Sequence, residues 1–183
     1  MDRDSNYSKL DETIRAARMI YLNKSCFNGL YRVNSKGLFN VPSGKKVKVN
    51  VFDRENFDKL KSYFKSNNVK LLSTSFENAV KNAKSGDFVY FDPPYDDIED
   101  KKVFNSYDTT SFNWDMQIKL AECFKELDKK GVYVMLSNHN TKRINDLYKD
   151  FNIKVVNAKR MINSKGTGRG NVQEVIITNY NFE

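Results

Sequence analysis

From residue 69 onward, short unbroken apolar runs alternate with amphipathic stretches. That alternation constrains the fold more than any other feature of the sequence. Strand candidates are residues 69–72, 88–91, 132–136 ("VYVML"), 153–156 and 172–178. Helical periodicity lies between them, at 74–83, 114–130 and 141–150. Continuous apolar strands need cover on both faces. The pattern therefore predicts an α/β class with a mostly parallel sheet flanked by helices. The last two strands, joined by "NSKGTGRGN", predict an antiparallel hairpin on that sheet. Thr74 and Glu77 read as a capping box. Ile118, Ala121, Phe124 and Leu127 share one side of the longest helix, and Gly131 stops it.

The first 68 residues have another character. Ser8 and Asp11 form an S-x-x-D cap, and Leu10, Ile14, Ala17 and Tyr21 form one face of a helix fading near Lys24. "CFNGLYRVNSKGLFNVPSGKKVKVN", residues 26–50, scatters Gly, Asn, Ser and Pro among basic and aromatic residues, and predicts loop and short hairpin. Asp53 can cap a second helix with Phe57, Leu60 and Phe64 facing inward. Two domains are expected: residues 1–68, a basic, helical and loop-rich lobe, and residues 69–183, an α/β lobe.

Charge narrows the partners. Lys and Arg number 31 against 23 Asp and Glu, a formal net charge of +8, which attracts phosphate polyanions such as nucleic acid. The single histidine, His139, excludes a multi-His metal site or a mechanism with two imidazoles; no metal is expected. Following an apolar strand, His139 reads as a structural or loop residue. Cys26 and Cys123 lack metal-ligand spacing and read as free thiols in a reducing cytoplasm. No apolar run approaches a membrane span, and the polar first residues do not read as a secretory signal.

One stretch carries chemistry: "FVYFDPPYDD", residues 88–97. In open α/β sheets, ligands collect beyond the carboxyl ends of the strands, where this strand delivers Asp92. Pro93 keeps Asp92 out of the helical region, and Pro93 and Pro94 fix their own φ. The result is a stiff ledge of carboxylate and carbonyl acceptors beside the ring of Tyr95. A planar ring with an exocyclic amino group suits it. The ring stacks on Tyr95, while the two N–H groups meet Asp92 and a backbone carbonyl near Pro93. Those bonds draw the nitrogen toward tetrahedral geometry and make it nucleophilic. For an arbitrary D-P-P the alternative is a solvated aspartate on a Pro-Pro turn.

"DPPY" after an apolar strand resembles motif IV of the amino-group DNA methyltransferases. The chain is similar in more detail to the Dam-type DNA adenine-N6 methyltransferases that act at GATC. "YLNKSCFNGLYRVNSKGLFNVPSGK" (residues 21–45), "FDPPY", "FNSYDTTSF" (104–112), "LSNHNT" (136–141) and "NSKGTGRGNVQEVIITNY" match in order. The resemblance implies a Rossmann-like methyltransferase sheet with a small DNA-recognition lobe, double-stranded DNA as partner and S-adenosylmethionine as cofactor. It implies that Asp92, Pro93, Pro94 and Tyr95 hold a flipped adenine, and that Phe76 and Asp92 border the cofactor. Phe27 and Asn28 match residues that wedge into the duplex, Leu30 and Pro42 match contacts to thymine methyls, and Arg32 matches a guanine reader. Asn34 belongs to the same segment; Lys45 and Lys46 stand where basic phosphate contacts occur. These roles agree with the physics of base extrusion and of a planar guanidinium reading guanine, while Lys36 and Lys48 add phosphate contacts.

Two features stand apart. "GTGRG" precedes a strand and opens no helix, so it fails the context of a dinucleotide fingerprint. It reads as a flexible hairpin loop, or as a basic loop (Lys159, Arg160, Lys165, Arg169) leaning on DNA. The family's Gly-rich F-x-G-x-G turn has no counterpart ahead of the DPPY segment. A complementing N-terminal half, or a second copy covering an open sheet edge, is therefore an expected partner. A non-catalytic DNA-binding remnant is the alternative. RNA or protein amide methyl transfer also uses related four-residue signatures, but the recognition segment argues against it.

Overall fold

The computed structural model describes residues 7–96, 112–159 and 171–181. The chain forms two compact units, Met1–Leu71 and Leu72–Glu183.

In the first unit, helix α1 (Glu12–Ser25) begins at Asp11, whose carboxylate accepts from the Thr13 amide at 2.8 Å. Ser8 lies in the 3-10 turn before it. The expected inward face is turned outward, with Ile14 and Tyr21 each more than half exposed. Instead Leu22 is buried, and Arg18 and Arg15 are half-buried one and two turns before it. The cause is Tyr7, whose ring lies 4.8 and 4.9 Å from the two guanidinium groups. Stacking on an aromatic face and burying long aliphatic stems turns an arginine stripe inward. Leu22 packs with Cys26, Phe39 and Val41 as the unit's small core. The loop-and-hairpin expectation holds: isolated bridges join Cys26 to Ser43 and Val33 to Phe39.

Helix α2 (Arg54–Ser66) is capped by Asp53, which accepts from the Asn56 amide at 3.0 Å. Its apolar stripe forms, but Phe57, Leu60 and Phe64 are 48%, 46% and 43% exposed, so the expectation that they face a core is corrected. Phe52 packs on Phe57 at 5.2 Å, and no residue of α2 is buried.

Residues 69–72, at the boundary of the two units, do not form a strand, and Leu71 and Leu72 are exposed. A strand needs a ladder partner, and no described segment pairs with this one. Helix α3 (Phe76–Val80) is capped by Ser75 rather than Thr74, and it ends before Ala83. Strand β1 (Phe88–Phe91) leads to the DPPY turn. Helix α4 (Trp114–Lys129) starts at Asn113, which accepts from the Met116 amide, and stops at Gly131, whose φ is 74°. Strand β2 is Tyr133–His139, helix α5 is Lys142–Leu147, and the hairpin is β3 (Asn152–Lys159) with β4 (Asn171–Thr178).

The fold is mixed α/β. Its sheet has the order β1-β2-β4-β3, with β1 and β2 parallel and the other two pairings antiparallel. The expected hairpin is present, but the sheet is mixed rather than mostly parallel. The reason is that β4 folds back from β3 and inserts beside β2. Phe91, Val134, Leu136, Val175 and Ile177 point into a core shared with Leu120, Phe124 and Leu127 of α4 and with Ile144 and Tyr148. Each such buried side chain contributes about 1.5–3 kcal/mol. Helix α4 buries a wider stripe than expected, adding Gln117, Leu120 and Cys123, while Ile118 is half-buried. Cover on both faces was expected. Among the described residues, one face is packed, and Phe88, Tyr90 and Tyr133 on the other stay more than half exposed.

Candidate active site

The parallel pairing of β1 with β2 brings two chain ends to one sheet edge. Phe91 is opposite Leu136, so Asp92, the first residue past the end of β1, comes beside Ser137, which is still within β2 and paired with Ile176 of β4. The Asp92 side chain is exposed. Its Oδ1 accepts from the Ser137 hydroxyl at 2.9 Å, and that hydroxyl lies 2.9 Å from the Tyr90 hydroxyl. Tyr95 is half-buried, and the edge of His139 meets its ring at 5.0 Å and 83°. Partial burial pushes the Tyr95 phenol above its usual value. The charges of Asp92, Glu174 and Tyr90 add to this, and the Ser137 hydroxyl opposes it.

The turn is held from behind by buried polar groups. Gln117 of α4 donates to the Pro94 carbonyl at 2.9 Å and accepts from Asn138 at 3.2 Å. Asn138 Oδ1 accepts from the amides of Asp96 (2.8 Å) and His139 (2.9 Å). The Asp96 carboxylate, only 5% exposed, takes both arms of Arg143, with Nε at 2.7 Å, and the Thr141 hydroxyl at 2.7 Å. Arg143 in turn stacks on Trp114 at 4.7 Å. Because the Asp96 carbonyl can only accept, the His139 Nδ1 beside it at 2.5 Å carries a proton. His139, the last residue of β2, thus ties that strand to the turn.

Phe76 is half-buried at the start of α3, with its ring 6.3 Å from Phe91 and 6.2 Å from Phe112. A part-open ring of this kind can stack against a purine. Of the "FNSYDTTSF" segment only Phe112 lies within the described residues. The "GTGRG" loop, with Arg160, Lys165 and Arg169, lies outside them, as does the Lys159 side chain.

In the first unit the recognition candidates sit on one short structure. The 3-10 turn Phe27–Gly29 puts Asn28 at φ 53°, and the Phe27 amide donates to the Pro42 carbonyl at 3.0 Å. Phe27, Leu30 and Pro42 are all exposed. Arg32 is not presented free. Its Nε donates to Asn40 Oδ1 at 2.8 Å and its Nη2 to the Asn40 carbonyl at 3.1 Å. Asn34 accepts from the amides of Lys36 and Leu38, both at 3.0 Å, which makes it the keystone of its own turn. Lys45 is exposed with φ 53°, and Lys46 Nζ donates to the Lys24 carbonyl at 2.7 Å.

Sequence reasoning named none of Ser137, Asn138, Gln117, Asp96 or Arg143 as site residues. A signal existed for the first two. "LSNHNT" ends an apolar strand in polar groups, as "FDPPY" does, and two such strands side by side share an edge.

Residues 1–162 match the family described as D12 class N6 adenine-specific DNA methyltransferase. The chain belongs to this family. It is 46% identical over 179 residues to the type II methyltransferase M1.LlaDCHI of Lactococcus lactis subsp. cremoris, covering 98% of this chain and 63% of that protein. With the type II methyltransferase M.MjaIII of Methanocaldococcus jannaschii it shares 45% identity over 181 residues, covering 98% and 62%. The DNA adenine methylase of Escherichia coli (strain K12) is 33% identical over 165 residues, covering 88% and 57%. The chain thus spans less than two thirds of the length of these relatives.

Proposed function

We propose that this chain carries the target-recognition and adenine-holding parts of a DNA adenine-N6 methyltransferase acting at GATC. The observation that carries the reading is the exposed Asp92 carboxylate, fixed at a strand end beside a half-open aromatic ring. An adenine extruded from the duplex stacks on Tyr95. One amino N–H donates to Asp92. The other donates to the Pro93 carbonyl, since that of Pro94 already accepts from Gln117. Both bonds favour a pyramidal nitrogen with its lone pair free of the ring. S-adenosylmethionine, when bound, supplies the electrophilic methyl carbon; Phe76 and Asp92 are the residues of this chain that would hold it. Asp92 also stands where it can take the proton that the methylated nitrogen releases.

In the first unit, Phe27 and Asn28 fill the space that the extruded base vacates. Leu30 and Pro42 meet thymine methyls. Arg32 exchanges Asn40 for guanine O6 and N7, a planar fork replacing one set of acceptors with another. Asn34 holds the hairpin that presents Arg32, and Lys45 and Lys46 contact phosphates. GATC rests on the match of this segment to the Dam-type pattern. A role in restriction–modification fits the type II relatives.

Calorimetric titration of S-adenosylmethionine and of a GATC duplex into this chain, alone and with a complementing N-terminal half, tests the proposal. Binding of both, with a preference for GATC over a permuted site, is expected. Duplex binding without cofactor binding in either form would identify a non-catalytic remnant.

A further inference from the structure

Ser137 links Asp92 to the body of the sheet. It is 7% exposed, and its Oγ stands 2.9 Å from both Asp92 Oδ1 and the Tyr90 hydroxyl. A serine hydroxyl has one proton, and an ionised carboxylate only accepts. The Ser137 proton therefore goes to Asp92, and Tyr90 donates to Ser137. The order is fixed: Tyr90 to Ser137 to Asp92. Asp92 is the exposed end of this chain of hydroxyls, on a side chain with two torsions of its own. With Oδ1 held by Ser137, rotation of this exposed carboxylate is restrained.

Building on the adenine-holding function above, we propose that Ser137 is a positioning residue for methyl transfer. Its hydroxyl orients the Asp92 carboxylate so that one oxygen faces the amino group, and Tyr90 fixes the direction of that hydroxyl. The buried network through Gln117 and Asn138 sets where the turn lies. Ser137 sets which way its one reactive carboxylate points. Without it Asp92 keeps its place but loses its orientation, and effective catalysis depends on orientation.

The test is steady-state methylation of a GATC duplex by the full chain, with the N-terminal half supplied where transfer requires it. Ser137→Ala is expected to lower kcat about 10- to 100-fold, the scale of one charge-assisted hydrogen bond, with KM for DNA within about twofold. Ser137→Thr restores most of the rate, and Tyr90→Phe loses less than Ser137→Ala. In an Asp92→Asn background, Ser137→Ala adds little, because both act through one group. Wild-type kcat in Ser137→Ala overturns the inference. So does a loss of equal size in the Asp92→Asn background, or a loss that threonine does not rescue. Absence of transfer by the wild-type protein overturns the functional proposal itself, and the inference with it.

Discussion

Tyr148 carries a hydroxyl that the fold does not use. The residue is fully buried against Phe124, and its oxygen has no hydrogen-bond partner among the described residues. Burial pushes its phenol far above the usual value, with the Cys123 thiol adding in the same direction. The raised value means the folded state favours the neutral form. That stability is full below the unfolded value of about 10 and is lost as pH rises beyond it. Tyr148→Phe is therefore expected to stabilise the protein by about 1–2 kcal/mol at pH 7, by removing an unpaired buried group. It should also flatten the loss of stability above pH 10; urea unfolding at both pH values measures this. The Tyr95 phenol is shifted the same way, by its partial burial. Tyr95→Phe should keep the transfer rate, whereas Tyr95→Ala should lower it about 10- to 100-fold, the scale of one base–aromatic stack.

At the scale of elements, the decisive arrangement is a turn braced by a neighbouring strand and helix. Asn138→Ala would leave the Asp96 and His139 amides and Gln117 without their partner in a buried site. A loss of about 3 kcal/mol is expected, read as a lowered urea midpoint with unchanged slope. In the first unit, Gly44 approaches Cys26 so closely that a Cβ would lie 2.6 Å from its carbonyl oxygen. Gly44→Ala must push two backbones apart, and is expected to disorder the Phe27 turn and weaken duplex binding more than it lowers stability of the second unit. Strand β1, helix α4 and the closing hairpin were legible in the sequence because long periodic runs and a Gly stop specify them locally. The face of α1 was not. Two arginines stacked on a distant tyrosine override its apolar stripe, and hydropathy alone cannot register that. Residues 69–72 look like a strand, but a strand exists only with a partner. That the DPPY turn follows a strand end was legible from its residue types. Ser137 was not, because its meaning depends on the parallel register that places it beside Asp92.

Across the whole molecule, the net charge of +8 and the lysines of residues 36–48 predict steep salt dependence of duplex binding. If Lys36, Lys45, Lys46 and Lys48 each meet a phosphate, the slope of log Kobs against log salt is about −3 to −4. Fluorescence anisotropy over a salt series measures it. A slope near zero would separate the basic segment from DNA. The stripe of α2 and the sheet face carrying Phe88, Tyr90 and Tyr133 are exposed apolar surface among the described residues. The most direct test of the account is methyl transfer itself. With labelled S-adenosylmethionine, a GATC duplex and the complementing half, the wild-type chain should produce N6-methyladenine. Asp92→Ala, folded and still bound to DNA, should produce about 100- to 1000-fold less. Equal product from the two proteins would contradict the assignment of Asp92 as the group that holds the adenine amino nitrogen.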